Sequence, residues 1–169
     1  DAFAVRDMVR LGDGTSGFVV EIGLLETMIQ GYDNIVTRIP NSDFAKSRVS
    51  NLSRVQQSRI TQKLRFKYSD LSKLPDVLDE IKEEIRLSCP KLITNGTKPF
   101  RALLTDYKAD HIEALVNVHF DIKPATAPFH LNRQEVMLAI ARAMAKHKVE
   151  FALPSVVYVG SNPNNSESL

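Results

Sequence analysis

The tetrapeptide Ile39-Pro40-Asn41-Ser42 constrains this chain more than any other stretch, and Asn51-Leu52-Ser53-Arg54 follows it ten residues on. Pro40 has no N–H to give to a strand ladder, so pairing stops there, and Asn41 turns the chain readily through its side-chain amide. A β-rich segment rises to the first motif and a helical turn separates the two. That makes a strand-to-helix corner.

The residues around the corner read as short strands. Met8 to Leu11 is one, closed by the turn Gly12-Asp13-Gly14, where glycine tolerates positive φ. Phe18, Val20, Ile22 and Leu24 alternate with Val19, Glu21 and Gly23, the period of a half-buried strand with the Phe18 row as its apolar face. Glu26 to Gln30 and Asn34 to Ile39 predict a hairpin closed near Gly31-Tyr32-Asp33. Ser42 to Ser47 is a helical turn, and Arg48 to Ser53 a fifth strand. Five short strands without a long helix predict a small barrel or sandwich.

The pattern then changes. Ile60, Leu64 and Phe66 alternate with Arg59, Lys63, Arg65 and Lys67, so the bases share one strand face. Leu74, Val77, Leu78, Ile81 and Ile85 recur at helical spacing, with Asp70, Ser72 and Pro75 as start signals and Pro90 as the stop. Thr94-Asn95-Gly96 is a turn and Phe100 to Tyr107 a strand. Ile112, Ala114, Val116, Val118, Phe120 and Ile122 alternate with polar residues, the clearest strand pattern in the chain. A second helix is expected from an Asn132/Glu135 capping box, with Val136, Met137, Ile140, Ala143 and Met144 buried. Either Val149 to Phe151 or Val156 to Val159 then supplies a last strand. The order β-α-β-β-α-β is that of a ferredoxin-like sheet. Gly160 to Leu169, rich in Ser and Asn, predicts a disordered tail.

At 169 residues and 43% hydrophobic content the chain can bury a core without staples. Cys89, the single cysteine, excludes an intrachain disulfide, fits a reducing compartment, and before Pro90 reads as packing. No apolar run approaches the roughly 20 residues of a membrane helix; Val136 to Met144 is short and broken by Arg142. The net charge of +2 hides an uneven distribution. Residues 38–67 hold eight bases against one acid, a balance of +7, whereas the first 37 residues stand at −4. A basic segment of this kind fits nucleic acid, an anionic surface, one wall of an ion-filled cavity, or a solvated strand face.

No catalytic constellation emerges, and neither enzyme activity, cofactor nor metal is expected. Gly12-Asp13-Gly14 lacks phosphate-loop spacing. His111 and His119 share a strand face but, eight residues apart, sit more than roughly 20 Å from each other and read as exposed histidines. His130 and His147 flank the second helix, where capping or solvent accounts for them. Asp79, Glu80, Glu83 and Glu84, interspersed with Lys82 and Arg86, read as a solvated helix face. Asn-x-Ser/Thr triplets at Asn51, Asn95 and Asn164 are common by chance.

With Gly17-Phe18-Val19-Val20-Glu21-Ile22-Gly23 upstream, the two corner motifs give the chain from Phe3 to about Gly160 a pattern that resembles the small-conductance mechanosensitive channel family. The matching positions are Gly17, Pro40, Asn41, Asn51 and Arg54, with mostly architectural roles. The resemblance implies an α+β chain: a small Sm-like β-barrel (1–55), a ferredoxin-like β-α-β-β-α-β domain (56–154), a C-terminal strand (155–160) and a tail (161–169). It implies the vestibule of a homoheptameric, weakly selective channel that opens under membrane tension and releases ions and osmolytes in osmotic stress. The vestibule would lie on the cytoplasmic, stromal or matrix side, with side portals and with pore helices before Asp1. The strand Val156, Val157, Tyr158, Val159 is apolar on both faces, an exposed edge if unpartnered. In the family, terminal strands of seven subunits close a parallel barrel. Lys91 to Phe100 and Pro124 to His130 depart from the family pattern by their length, as in organellar or eukaryotic relatives. The competing reading is an Sm-like nucleic-acid-binding module using the basic 38–67 segment. Against it, only Phe44 and Phe66 offer aromatic platforms there.

Overall fold

The computed structural model describes residues 3–154, so the Val156–Val159 strand and the expected tail lie outside the described residues. The chain is α+β, with two antiparallel sheets divided between two compact units. The first unit takes in Asp1–Arg59, Lys91–Lys98 and His119–Gln134; the second takes in Ile60–Pro90, Pro99–Val118 and Glu135–Leu169.

In the first unit, β1 (Met8–Leu11), β2 (Ser16–Ile22), β3 (Glu26–Gln30), β4 (Val36–Pro40) and β5 (Val49–Asn51) form one sheet in the order β4-β3-β2-β1-β5. The short helix α1 (Asn41–Lys46) follows the Pro40 corner, as the sequence predicts. Val9, Leu11, Val19, Ile29 and Phe44 make the core, with Phe3, Ile39 and Val49 packed against it. Up to its bulge, the facing of β2 is the reverse of the expected one. Val19 is buried, while Phe18, Val20 and Ile22 are each more than 40% exposed and Leu24 is fully so. Gly17 and Val19 face inward because Gly17 sits against the β3 backbone, and a bulge between Val19 and Glu21 shifts the register beyond them.

The second sheet, β6 (Ser58–Phe66), β7 (Arg101–Tyr107) and β8 (Ile112–Phe120) in the order β6-β8-β7, falls in the second unit but for the first two residues of β6 and the last two of β8. Every even residue of β8 from Ile112 to Phe120 is fully buried, which is the expected alternation. Phe151 forms an antiparallel bridge to Phe66, and Ala152 N–H donates to Arg65 O at 2.8 Å, so the segment around Phe151 takes the last edge of this sheet. The helix α2 (Leu74–Ser88) buries its predicted stripe of Leu74, Val77, Leu78, Ile81 and Ile85. Its start differs from expectation. A 3-10 segment, Tyr68–Lys73, precedes it, and no side chain caps it; Asp70 instead pairs with Lys73.

The helix α3 (Ala127–Lys146) begins five residues before the Asn132 of the expected capping box. Thr126 stands just before it, its Oγ1 accepting the Phe129 N–H at 3.4 Å, and Pro128 fits the first turn, where a missing N–H costs nothing. Asn132 is therefore inside the helix and buried, with Nδ2 unpartnered. Ala139 takes the buried position expected for Met137, which is 39% exposed.

Candidate functional site

The five residues singled out in the sequence fall into two knots on the first sheet. Gly17 and Asn51 lie in one row across it, each paired with Val9 from opposite sides. A Cβ at Gly17 would stand 2.7 Å from both the Gln30 carbonyl carbon and Ile29 Cγ2, and closer still to the Gln30 oxygen. Only glycine lets β2 and β3 approach so closely.

The corner forms the first knot. Pro40 is the last paired residue of β4, opposite Glu26. The Asn41 side chain does not turn its own segment, as the sequence suggested, but reaches across to the β2–β3 connection. Its Nδ2 donates to Gly23 O at 2.9 Å and Leu24 O at 3.1 Å, and its Oδ1 accepts from Thr27 Oγ1 at 2.8 Å. Its backbone N–H donates to Leu25 O at 2.9 Å. One asparagine thus clamps a turn that presents Leu24 and Leu25 to solvent.

The second knot ties the entry of the chain to the exit of β5. Asn51 Nδ2 donates to Asp7 Oδ2 at 2.7 Å, and Asn51 Oδ1 accepts the Ser53 N–H at 3.0 Å in an Asx turn. Ser53 Oγ accepts the Met8 N–H at 2.7 Å. The Ala4 N–H holds the Asp7 carboxyl below its ordinary range, helped by the Asn51 amide and by the charges of Arg54 and Lys123. Asp7 is the central acceptor, and the sequence reading missed it. Its only signal was an acid immediately before the first strand, opposite no recognisable motif.

Part of the charge elsewhere is paired. Of the eight bases in 38–67, Arg38, Lys63, Arg65 and Lys67 meet Glu26, Glu113, Asp110 and Glu150. Half of the basic segment is therefore matched by acids distant in sequence, which removes much of the motive for a nucleic-acid surface. Glu84 departs from the solvated face expected of it. It is 7% exposed, accepts from Lys146 Nζ at 2.5 Å and Arg142 Nε at 2.9 Å, and these two hydrogen bonds hold its carboxyl below the ordinary range. Arg142 also donates to Ser88 Oγ at 2.6 Å, and Lys146 to Glu80 at 2.6 Å.

His111 is partly buried rather than exposed, its Nδ1 2.5 Å from Asp110 Oδ1, and His119 is likewise partly buried. The Cys89 thiol is buried and its pKa is pushed up to about 11 by desolvation and then by Glu135, which makes it packing and a poor nucleophile at neutral pH. Among the described residues no three His, Cys, Asp or Glu side chains are grouped to hold a metal, and no helix is long and apolar enough to cross a membrane.

Comparison with known proteins bears on the same sheet. The family model for the beta-domain of mechanosensitive ion channels matches residues 1–54. The mitochondrial mechanosensitive ion channel protein 1 of Arabidopsis thaliana is 26% identical over 147 residues, which cover 87% of this chain and 29% of that protein. The low conductance mechanosensitive channel YnaI of Escherichia coli K12 is 27% identical over 157 residues, 90% of this chain and 44% of that protein. Among solved structures, the cryo-EM structure of Arabidopsis thaliana MSL1 superposes with a TM-score of 0.80 at 26% identity, covering 90% of this chain and 53% of that one. The chain thus spans less than half the length of these two curated relatives.

Proposed function

We propose that this chain, which belongs to the small-conductance mechanosensitive channel family, forms the vestibule of a tension-gated channel whose pore helices join it ahead of Asp1. Seven copies assemble beneath the membrane, and membrane tension opens the pore and releases ions and osmolytes in osmotic stress. The chain has no enzymatic role in this reading. The vestibule lies on the cytoplasmic, stromal or matrix side.

The observation that carries the proposal is the exposed apolar surface at the end of β2. Val20 at the bulge and Leu24 and Leu25 on the turn that follows stand exposed, a surface that a solitary domain would leave wet. Copies arranged in a ring would cover it. The five-strand order supports an Sm-like barrel for residues 1–55. The order β6-β8-β7, with Phe151 bridged to β6, supports a ferredoxin-like domain over 56–154. Pro40 and Asn41 serve the first domain as its strand corner, Gly17 as the close approach of β2 to β3, and Asn51 and Arg54 as the anchor of its entering chain. Val156 to Val159 closes the ring as a parallel barrel.

Expression of the full-length protein in bacteria stripped of their own mechanosensitive channels tests the function. Survival of a sudden osmotic downshift, with tension-activated currents in membrane patches, is the expected outcome; a properly inserted protein giving neither overturns the proposal. Mass measurement of the full-length protein tests the assembly. A heptamer is expected, weakened by Val157→Lys with Val159→Lys. An unchanged heptamer in that variant rejects the terminal barrel, and a monomeric or dimeric wild type rejects the channel reading.

A further inference from the structure

The first unit holds a cavity of about 560 Å³ beside the second knot, whose Met8 and Ser53 form part of its lining. All of its lining residues belong to that unit. Phe18, Tyr32 and Phe129 supply aromatic walls, and Arg10, Lys123 and His130 bring cationic or imidazole groups to the same space. The rings are set: Phe18 and Tyr32 meet edge to face at 5.9 Å, the Tyr32 hydroxyl donates to Met8 Sδ at 3.0 Å, and Phe129 packs on the His130 ring at 5.4 Å.

The charge balance of this cavity opposes its surroundings. Arg10 is one of only two bases in the first 37 residues, a segment with six acids, yet among the described residues no Asp or Glu lines the cavity. The nearest acidic influence is Asp7, which feels the Lys123 charge but spends its Oδ2 on the Asn51 amide and the Ala4 N–H. The helix end beside the cavity is not the source of attraction, because Thr126 closes the first turn of α3 itself. Ser53 Oγ accepts from Met8 and keeps its own proton to give. The size falls within the range of small-molecule sites, roughly 300 to 1,000 Å³, and the mix of apolar walls with a few convergent polar groups is their usual composition.

We propose that this cavity binds a small organic anion, one that joins a carboxylate or phosphate head to a flat apolar body. The head lies between Arg10 and Lys123 with His130 as a further donor, and the body lies between Phe18, Tyr32 and Phe129. Arg10 grips the head through its planar fork and Lys123 as a point charge. Neither contact depends on the channel reading.

The test is titration of the full 169-residue chain followed by amide NMR, with three probes: phenyl phosphate, inorganic phosphate and benzyl alcohol. Phenyl phosphate is expected to saturate, to shift the signals of residues 8–18, 52–53 and 123–130, and to bind at least about tenfold tighter than either half-probe. Arg10→Gln and Lys123→Gln, whose amide spectra report that they remain folded, should each weaken it by about fivefold, the effect of one exposed charge contact. Equal binding of phenyl phosphate and inorganic phosphate would reduce the site to an anion spot and overturn the assigned ligand class. Shifts scattered over the chain, or unaltered binding in both variants, would overturn the site.

Discussion

Replacing Gly17 by alanine isolates the closest approach in the first sheet. Its φ lies outside the left-handed region, so an alanine there meets no backbone penalty and the cost is steric. The new methyl would sit 2.7 Å from Gln30 C and Ile29 Cγ2, where ordinary contact begins at 3.4 Å, an overlap near 0.7 Å on backbone and side chain at once. Gln30 is paired with Phe18 in the β2–β3 ladder, so its carbonyl can retreat only by loosening that ladder. Overpacking of this kind costs about 1–3 kcal/mol. One or two ladder hydrogen bonds add about 1 kcal/mol each. The stiffer unfolded chain returns about 0.5–1 kcal/mol. The expected loss is about 3 kcal/mol, which at a urea slope near 1.5 kcal/mol/M moves the midpoint of the first unit down by about 2 M. Gly14→Ala is the control, since φ is +93° there but nothing lies within 4 Å, so it should lose only about 1–2 kcal/mol of strain. Urea unfolding followed by hydrogen exchange at β2 and β3 amides reads the first unit separately. A Gly17→Ala midpoint within about 0.3 M of wild type, or a Gly14→Ala loss larger than that of Gly17→Ala, would refute the steric argument.

Asn41→Ala removes three side-chain hydrogen bonds and strands two carbonyls, so a loss of about 2–3 kcal/mol is expected, with faster amide exchange at Gly23 as the direct readout. Thr126→Ala should cost about 1 kcal/mol as a lost cap, whereas Asn132→Ala should cost under about 0.5 kcal/mol because it removes an unpartnered buried donor; the reverse order in thermal melts would restore the Asn132 cap. Glu84 titrates below its ordinary value in the folded chain, so the unfolded chain takes up its proton first as pH falls through about 4.3. Its stabilising effect is whole above that value and is lost as pH drops through the lower folded pKa. Urea midpoints measured from pH 7 to 3 should therefore fall less steeply in Glu84→Gln than in wild type, and parallel curves would contradict this.

The elements were legible where periodicity was strong and local. The β8 alternation from Ile112 to Phe120 and the α2 stripe from Leu74 to Ile85 appear as read, because each burial pattern follows from one element's own geometry. The failures share a cause. In β2 two apolar rows competed, and Phe18 and Val20 lost the inward position because the approach of the Gln30 backbone admits only Gly17 on that side, while the bulge after Val19 returns Ile22 to the side of Thr27. In α3 the eye-catching Asn-x-x-Glu pair outweighed the plainer Thr126 and Pro128, although proline belongs to a first turn and would be costly at the end of a preceding loop only if that loop needed its N–H.

The site was less legible than the fold, since its partners are separated by distances in sequence that no motif spans. Asn51 stood out, but its acceptor Asp7 lies 44 residues earlier and carries no signature of its own. The same holds for the charges. A balance of +7 over residues 38–67 suggested an anionic partner, yet Arg65 meets Asp110 across 45 residues and Lys67 meets Glu150 across 83. Local charge counts describe a segment before sheet pairing has brought its neighbours. Glu84 makes the point in the opposite direction: three acids around it on α2 suggested a wet face, and two cations from α3 made it the most buried carboxylate of the second unit's helices. A charge run in a sequence therefore indicates a partner only after the acids delivered by the fold have been subtracted. Arg10, Lys123 and His130, drawn from segments too distant in sequence to register as a run, meet instead around one aromatic cavity.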